Sequence, residues 1–237
     1  MDGNGNVHNT GGSNQDGDNT PPAVTDSTQY LIVFDKNPNQ TYGFDKKEYD
    51  AHLNNYNTAV IHEEQYIIPW KSVQSGGIDY VDVQNAQADR QAAFPDAIGF
   101  KTATRTLSAQ AGMDDNKKKL SVIGTTHENV EEVLVYVIRK DEEGKDTEEV
   151  VGKLNVISYD QVYNKVYIVP VNGNGYPYNQ TSLANELNRI YAQAAVRWDV
   201  RMHAGIQVDW DLDGDGKMDH EAPIRFLQRL QNIFPQT

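Results

Sequence analysis

The sequence predicts a mostly β protein in two parts: an antiparallel β-sandwich over residues 28–159, then a small α+β segment over residues 160–237. Three observations predict it. Short runs of β-branched and aromatic residues recur at fairly even intervals up to residue 159, with Gly, Pro, Asn or Asp between most of them and almost no helical period. Between Ser158 and Lys165 that spacing gives way to strand, helix, strand. An acidic run, Asp209-Trp-Asp-Leu-Asp-Gly-Asp-Gly-Lys-Met-Asp219, closes the unit.

Met1 to Ser27 is rich in Gly, Asn and Asp, lacks Lys and Arg, and has almost no apolar content until Pro21-Pro-Ala-Val24. Such a segment cannot bury enough surface to offset its ordering entropy, so residues 1–27 are expected to be a disordered tether. Two readings stand side by side: the spacer that follows the acylated cysteine of a lipoprotein, and an ordinary frayed terminus.

Tyr30–Phe34 is the first expected strand, and Asp35-Lys-Asn-Pro-Asn39 its turn. Asp45–Tyr56 has a weak helical period. Strands are then expected at Gln65–Trp70, Ile78–Val83, Ala97–Lys101, Lys119–Ile123, Val133–Arg139 and Val150–Tyr159. Lys117-Lys-Lys119 is read as a solvated turn, and Asp141–Glu149 as a charged hairpin connection. In the second part, Lys165–Val171 is an apolar, β-branched strand and Asn172-Gly-Asn-Gly175 a turn. From Ser182, read as N-cap, Leu183, Leu187, Ile190, Tyr191 and Ala194 mark one helix face. Val196, Trp198 and Val200 alternate with charged residues as a strand, and Ile224–Phe234 repeats at steps of three and four as a last helix.

Composition removes several functions. Over 237 residues the net charge is −13, with a pI near 4.8; nucleic acid is excluded because neutralising phosphates takes clustered Lys and Arg. There is no cysteine, hence no disulfide or thiolate metal site. No apolar run is long enough to span a membrane, so membrane attachment is expected only through a lipid anchor.

The acidic run carries the chemistry. Asp211-Leu-Asp-Gly-Asp-Gly216 fits D-x-D-x-D-G, the opening half of a calcium loop. Calcium takes six to eight oxygens at about 2.3–2.6 Å, and alternate residues of a tight loop can aim carboxylates at one point. The expected ligands are Asp211, Asp213, Asp215, the backbone carbonyl of Lys217, and Asp219. Position twelve is Ala222 rather than a bidentate Glu, and Glu221 is the expected substitute. The bland alternative is an acidic surface turn. His62-Glu-Glu-Gln-Tyr66 and His220-Glu-Ala-Pro-Ile224 begin like H-E-x-x-H but lack the second His, and His127 has no His partner nearby, so zinc is not expected. There is no G-x-S-x-G, and Gly173-Asn-Gly175 is not a dinucleotide fingerprint. Tyr176-Pro-Tyr178 is read as loop packing rather than a ligand contact.

Tyr66-Ile-Ile-Pro-Trp-Lys-Ser-Val73, Val151-Gly-Lys-Leu-Asn-Val-Ile-Ser-Tyr159, Val169-Pro-Val-Asn172 and Leu187-Asn-Arg-Ile-Tyr-Ala-Gln-Ala-Ala-Val196 together resemble the upstream half of secreted bacterial zincin-like metallopeptidases. The resemblance covers residues 60 to 220. It implies an immunoglobulin-like pre-domain followed by the strand–helix–strand opening of a zincin. No catalytic residue of that family maps onto this sequence, and none is assigned. The resulting expectation is a non-catalytic N-terminal region of a secreted or surface zincin-like metallopeptidase with a calcium-stabilised loop. The alternative is a stand-alone surface binding or adhesion module recognising peptide, glycan or a partner protein. A hydrolase using an Asp/Glu pair ranks behind both, because such a pair is recognised by separation in space. The expected location is extracellular or the outer cell surface.

Overall fold

A computed structural model describes residues 20–24, 28–49, 56–87, 94–112, 114–173 and 179–233 of the chain. Nearly all of the expected tether, residues 50–55 of the weak helix, the Tyr176–Tyr178 loop and Phe234 lie outside the described residues. The strands are β1 (Ile32–Lys36), β2 (Phe44–Asp45), β3 (Thr58–Ile61), β4 (Glu64–Ile67), β5 (Trp70–Gln74), β6 (Ile78–Asn85) and β7 (Gly99–Lys101). They continue with β8 (Thr106–Leu107), β9 (Ala109–Ala111), β10 (Lys117–Ile123), β11 (Val130–Lys140), β12 (Asp146–Tyr159), β13 (Val162–Ile168) and β14 (Val196–Met202). Two helices, α1 (Gln180–Tyr191) and α2 (Ala222–Ile233), belong to the second part.

A four-stranded sheet, β1-β6-β10-β9, faces a six-stranded one, β2-β5-β12-β11-β7-β8. Every pairing inside them is antiparallel except β5 with β12, which run parallel. Period-two alternation supplies the shared core: Ile32, Phe34, Val81, Val83, Leu120 and Val122 from the first sheet meet Val73, Val133, Val135, Val137, Leu154 and Val156 from the second. The β3–β4 hairpin closes one side with Ile61 and Tyr66 against Leu31 and Val33. There Tyr66 Oη lies 3.1 Å from the Ile32 carbonyl and 3.0 Å from the Lys153 carbonyl, so one phenol bridges both sheets. Beside that bridge a Cβ on Gly152 would stand 2.7 Å from the Ile32 carbonyl oxygen; only glycine lets β1 approach β12 so closely.

A buried ion pair joins the two sheets near the β5–β6 turn. Lys71 on β5 and Asp79 on β6 are both fully buried, and Lys71 Nζ lies 2.5 Å from Asp79 Oδ2. Lys71 also donates to the Tyr42 carbonyl at 2.8 Å. Asp79 accepts from the backbone N–H of Thr41 at 2.9 Å and of Tyr42 at 2.8 Å. Burial pushes the Lys71 ammonium below its ordinary value, and the Asp79 carboxylate pulls it partly back.

Several sequence expectations change. Gln65–Trp70 is not one strand but the end of a hairpin and the start of β5, separated at Ile68-Pro69; proline has no N–H to continue a ladder. The Asp45 helix is replaced by β2 and a single 3₁₀ turn at Lys47–Tyr49. Lys117-Lys-Lys119 is strand, paired with Gln84, Val83 and Asp82, and Lys119 lies 4.6 Å over the Tyr80 ring. The Asp141 connection shortens to a turn closed by Asp141 N–H to the Lys145 carbonyl, and Asp146–Glu149 join β12. Ser182 is not the N-cap. Asn179 is, its side chain accepting from Ser182 N–H at 3.0 Å.

β12 ends at Tyr159, and β13 begins at Val162 and pairs in parallel with β14. The helix between them lies on the Val196, Trp198, Val200 side, with Tyr191 edge-on to Trp198 at 5.4 Å. The Asn188 amide bonds both backbone groups of Trp198, at 2.8 and 3.0 Å, and Gln180 donates to the Val200 carbonyl at 2.7 Å. These side chains occupy backbone groups that an edge strand would otherwise leave open. Gly43 N–H reaches the Gln193 carbonyl at 2.9 Å and thereby ties this unit to the sandwich.

Two outcomes are expected. Asp79→Ala or Lys71→Ala strands a buried charge and lowers unfolding free energy by about 3–5 kcal/mol in urea titrations, whereas the double change to Met and Leu costs much less. Burial also raises the Tyr66 phenol above its ordinary value of 10.0. Above pH 10 the unfolded chain therefore releases this proton while the folded chain keeps it, and the Tyr66 contribution to stability falls as pH rises. Lys71 acts oppositely as pH rises towards 10.5, since there the unfolded chain holds the extra proton. The informative measurement is therefore parent minus Tyr66→Phe, whose stability difference should shrink from pH 9 to pH 11.

Candidate metal centre

The acidic loop leaves the second part through a short parallel bridge, Val171 with Ile206. Asn172 fixes its entry: its side-chain amide donates to the Val208 carbonyl at 2.8 Å and accepts from Val208 N–H at 2.6 Å. Trp210 then packs on Phe226 of α2, ring centroids 5.7 Å apart, so the loop is pinned at both ends by one aromatic contact. Pro223 sits in the first turn of α2, where its missing N–H costs nothing.

Inside the loop the fold is written by short polar side chains bonding the backbone just ahead of them. Asp211 Oδ1 accepts from Gly214 N–H at 2.7 Å and Asp215 N–H at 3.0 Å, and Oδ2 accepts from Gly216 N–H at 2.8 Å. Asp213 takes Asp215 N–H at 3.1 Å, and Asp215 takes Lys217 N–H at 2.9 Å. Asp219 reaches back to Leu212 N–H, and its own N–H bonds the Trp210 carbonyl at 2.8 Å. Gly214 and Gly216 adopt φ of +79° and +82°, the left-handed conformation that makes glycine the natural residue there.

Of the five expected carboxylate ligands, the structure brings together three. Asp211, Asp213 and Asp215 each offer a carboxylate oxygen, all within 4.8 Å of one another. Oxygens on one calcium at about 2.3–2.6 Å can be no more than about 5 Å apart, so this spacing fits a single ion. The donors are all oxygen, which suits a hard cation and not zinc. Asp219 and Glu221 are not part of that group. Asp219 is engaged with Leu212, and Glu221 lies 3.5 Å from Arg225 one turn along α2. The Lys217 ammonium stands 3.4 Å from Asp215 Oδ2, supplying one local positive charge. Asp209, which the sequence pattern did not assign, accepts from Asp211 N–H at 3.2 Å and belongs to the same folded loop; its two-residue spacing was the available signal.

The three histidines that head the H-E sequences take structural or surface places. His62 Nε2 contacts the Tyr30 carbonyl at 2.8 Å, His127 Nδ1 accepts from Asp160 N–H at 3.0 Å, and His220 is exposed. No family model matches the chain, and no curated protein matches it.

Because Asp211 accepts from Gly214 and Gly216 N–H, while Asp215 N–H is shared with Asp213, Asp211→Ala should speed amide exchange at Gly214 and Gly216 several-fold while leaving β11 and β12 protected. Exchange measured by mass spectrometry or NMR reads this directly.

Proposed function

We propose that this chain is a non-catalytic region of a secreted or cell-surface zincin-like metallopeptidase, in which residues 211–221 fold around calcium and fix the end of the α+β segment. The observation that carries the calcium half is the convergence of Asp211, Asp213 and Asp215 within 4.8 Å, since three carboxylates that close repel one another unless a cation lies between them. The wider assignment is supported by the order of parts: two packed sheets, read as an immunoglobulin-like pre-domain, then a parallel strand–helix–strand unit read as a zincin opening. That unit is only partly covered. Among its described residues α1 has none fully buried, and Tyr163, Tyr167, Ile190 and Met202 are exposed, the state of an element that packs against further polypeptide.

Calcium bound at the loop acts structurally. Asp211, Asp213 and Asp215 would supply carboxylate oxygens and Lys217 its carbonyl, with Asp219 and Glu221 entering only by giving up Leu212 and Arg225. The ion would lower the repulsion in the loop and stiffen the Trp210–Phe226 contact with α2. Hydrolysis is not a property of these residues. Exposure at the outer cell surface, by secretion or a lipid anchor, accords with a site built for millimolar extracellular calcium.

Thermal melting with calcium, magnesium or chelator tests the reading. A ligand held only by the native state adds about 2.7 kcal/mol at one hundred times its Kd, so calcium should raise the melting temperature by several degrees. Asp213→Ala should abolish the response; equal melting with calcium and chelator would defeat the proposal.

A further inference from the structure

The two-stranded β13–β14 sheet is closed along one edge and open along the other. On β14 the outward backbone groups are taken: Asn188 bonds the N–H and carbonyl of Trp198, and Gln180 donates to the Val200 carbonyl. On β13 the Val162 N–H goes to the Ala195 carbonyl and the Ile168 carbonyl takes His203 N–H. Val162 and Ile168, and with them Asn164 and Val166, therefore turn their backbone towards β14. Successive residues alternate in this respect, which turns the N–H and carbonyl of Tyr163 and Lys165 the other way. Among the described residues nothing bonds those groups, and no second strand pairs with β13. An unpaired row of this kind is a template for one more strand.

The side chains select which strand. Register sets Tyr163 opposite Arg197, Lys165 opposite Asp199 and Tyr167 opposite Arg201. These pairs share the face turned away from α1, and every one of these residues is exposed. The face carries three cations and one carboxylate on a chain of net charge −13. Arg201 takes that carboxylate, its Nη2 lying 2.8 Å from Asp199 Oδ2. Lys165 and Arg197 are left without an ion pair among the described residues. Lys165 stands at the middle of β13, between the two tyrosines. Two copies of this chain pairing antiparallel about Lys165 would set like charges opposite each other, whereas a carboxylate on an incoming strand would face a cation.

We propose that the free edge of β13 takes up an extended acidic peptide as a third strand, with a carboxylate side chain facing Lys165 and apolar side chains, two positions to either side, beside Tyr163 and Tyr167. The proposal rests on the reading of this unit as one that packs against further polypeptide, and needs neither calcium nor the zincin assignment.

Fluorescence anisotropy tests it, with the full chain titrated into fluorescein-labelled Thr-Val-Thr-Glu-Thr-Val-Thr amide and into the same peptide carrying Lys in place of Glu. The Glu peptide should bind saturably and at least about fivefold tighter than the Lys peptide, and Lys165→Glu should reverse that order. Methylating alternate peptide nitrogens separates strand addition from charge attraction, because only one set of N–H groups can face β13. One methylated set should abolish binding and the other leave it intact; this series, run on the parent chain, carries the test if Lys165→Glu melts abnormally. No saturable binding, equal affinity for the Glu and Lys peptides, equal tolerance of both methylated sets, or binding of dextran sulfate without binding of the Glu peptide overturns the proposal. The melting response to calcium, read on the same preparation, is a separate result, so this proposal and the calcium reading fail independently.

Discussion

The fold depends on the Lys71–Asp79 pair, because that contact joins the two sheets beside the β5–β6 turn and also organises the chain outside them. A buried ion pair is costly unless its remaining hydrogen-bonding capacity is met. Here one short segment supplies the additional bonds: the Thr41 and Tyr42 N–H groups go to Asp79, and the Tyr42 carbonyl takes Lys71. The Tyr42 hydroxyl continues to Gln74 Oε1 at 2.6 Å, and burial, then the Asp79 charge, holds that phenol above its ordinary value. The pair thus converts a crossing loop into part of the core. Gly43, the next residue, bonds Ser72 N–H and the Gln193 carbonyl. One line of contacts therefore runs from the buried pair to the turn between α1 and β14.

Much of this was legible in residues. Val133, Val135 and Val137, or Leu120 and Val122, announce their strands by alternation, and the period change near Ser158 marks where β12 gives way to β13. What escaped was non-local. The expected strand Gln65–Trp70 stops short of Lys71, and nothing in the sequence pairs it with Asp79 on the facing sheet. Lys117 to Lys119 read as a turn because charge suggests solvent. In the fold Lys117 and Lys118 reach Asp114 and Asp96, and Lys119 lies over Tyr80, so their stems pack while their charges face outward. The parallel pairing of β5 with β12 was equally invisible, and with it the meeting of Trp70, Ile157 and Tyr159 on one face.

The acidic loop shows the opposite balance. Its local geometry follows almost wholly from sequence, since Asp at alternate positions bonds the N–H groups two to five residues on, and glycine occupies the two left-handed positions. The first half of the ligand pattern converges as spaced. The second half does not, because Asp219 and Glu221 find partners in Leu212 N–H and Arg225. A repeated spacing can state which side chains share a turn. It cannot state which of them a neighbouring helix takes away.

The α+β unit is the part with least of its own. Its helix hides no residue completely, and only Val200 of β14 is buried. A two-stranded sheet with one covering helix cannot remove much apolar surface from water, so its order must be supplied from outside its own core. Two attachments supply it: Gln193 to the segment organised by the buried pair, and Trp210 on Phe226 at the far end of the acidic loop. The first is anchored at a buried, hydrogen-bonded ion pair. The second hangs on a loop whose carboxylates oppose one another. An ion there would tighten the weaker attachment first.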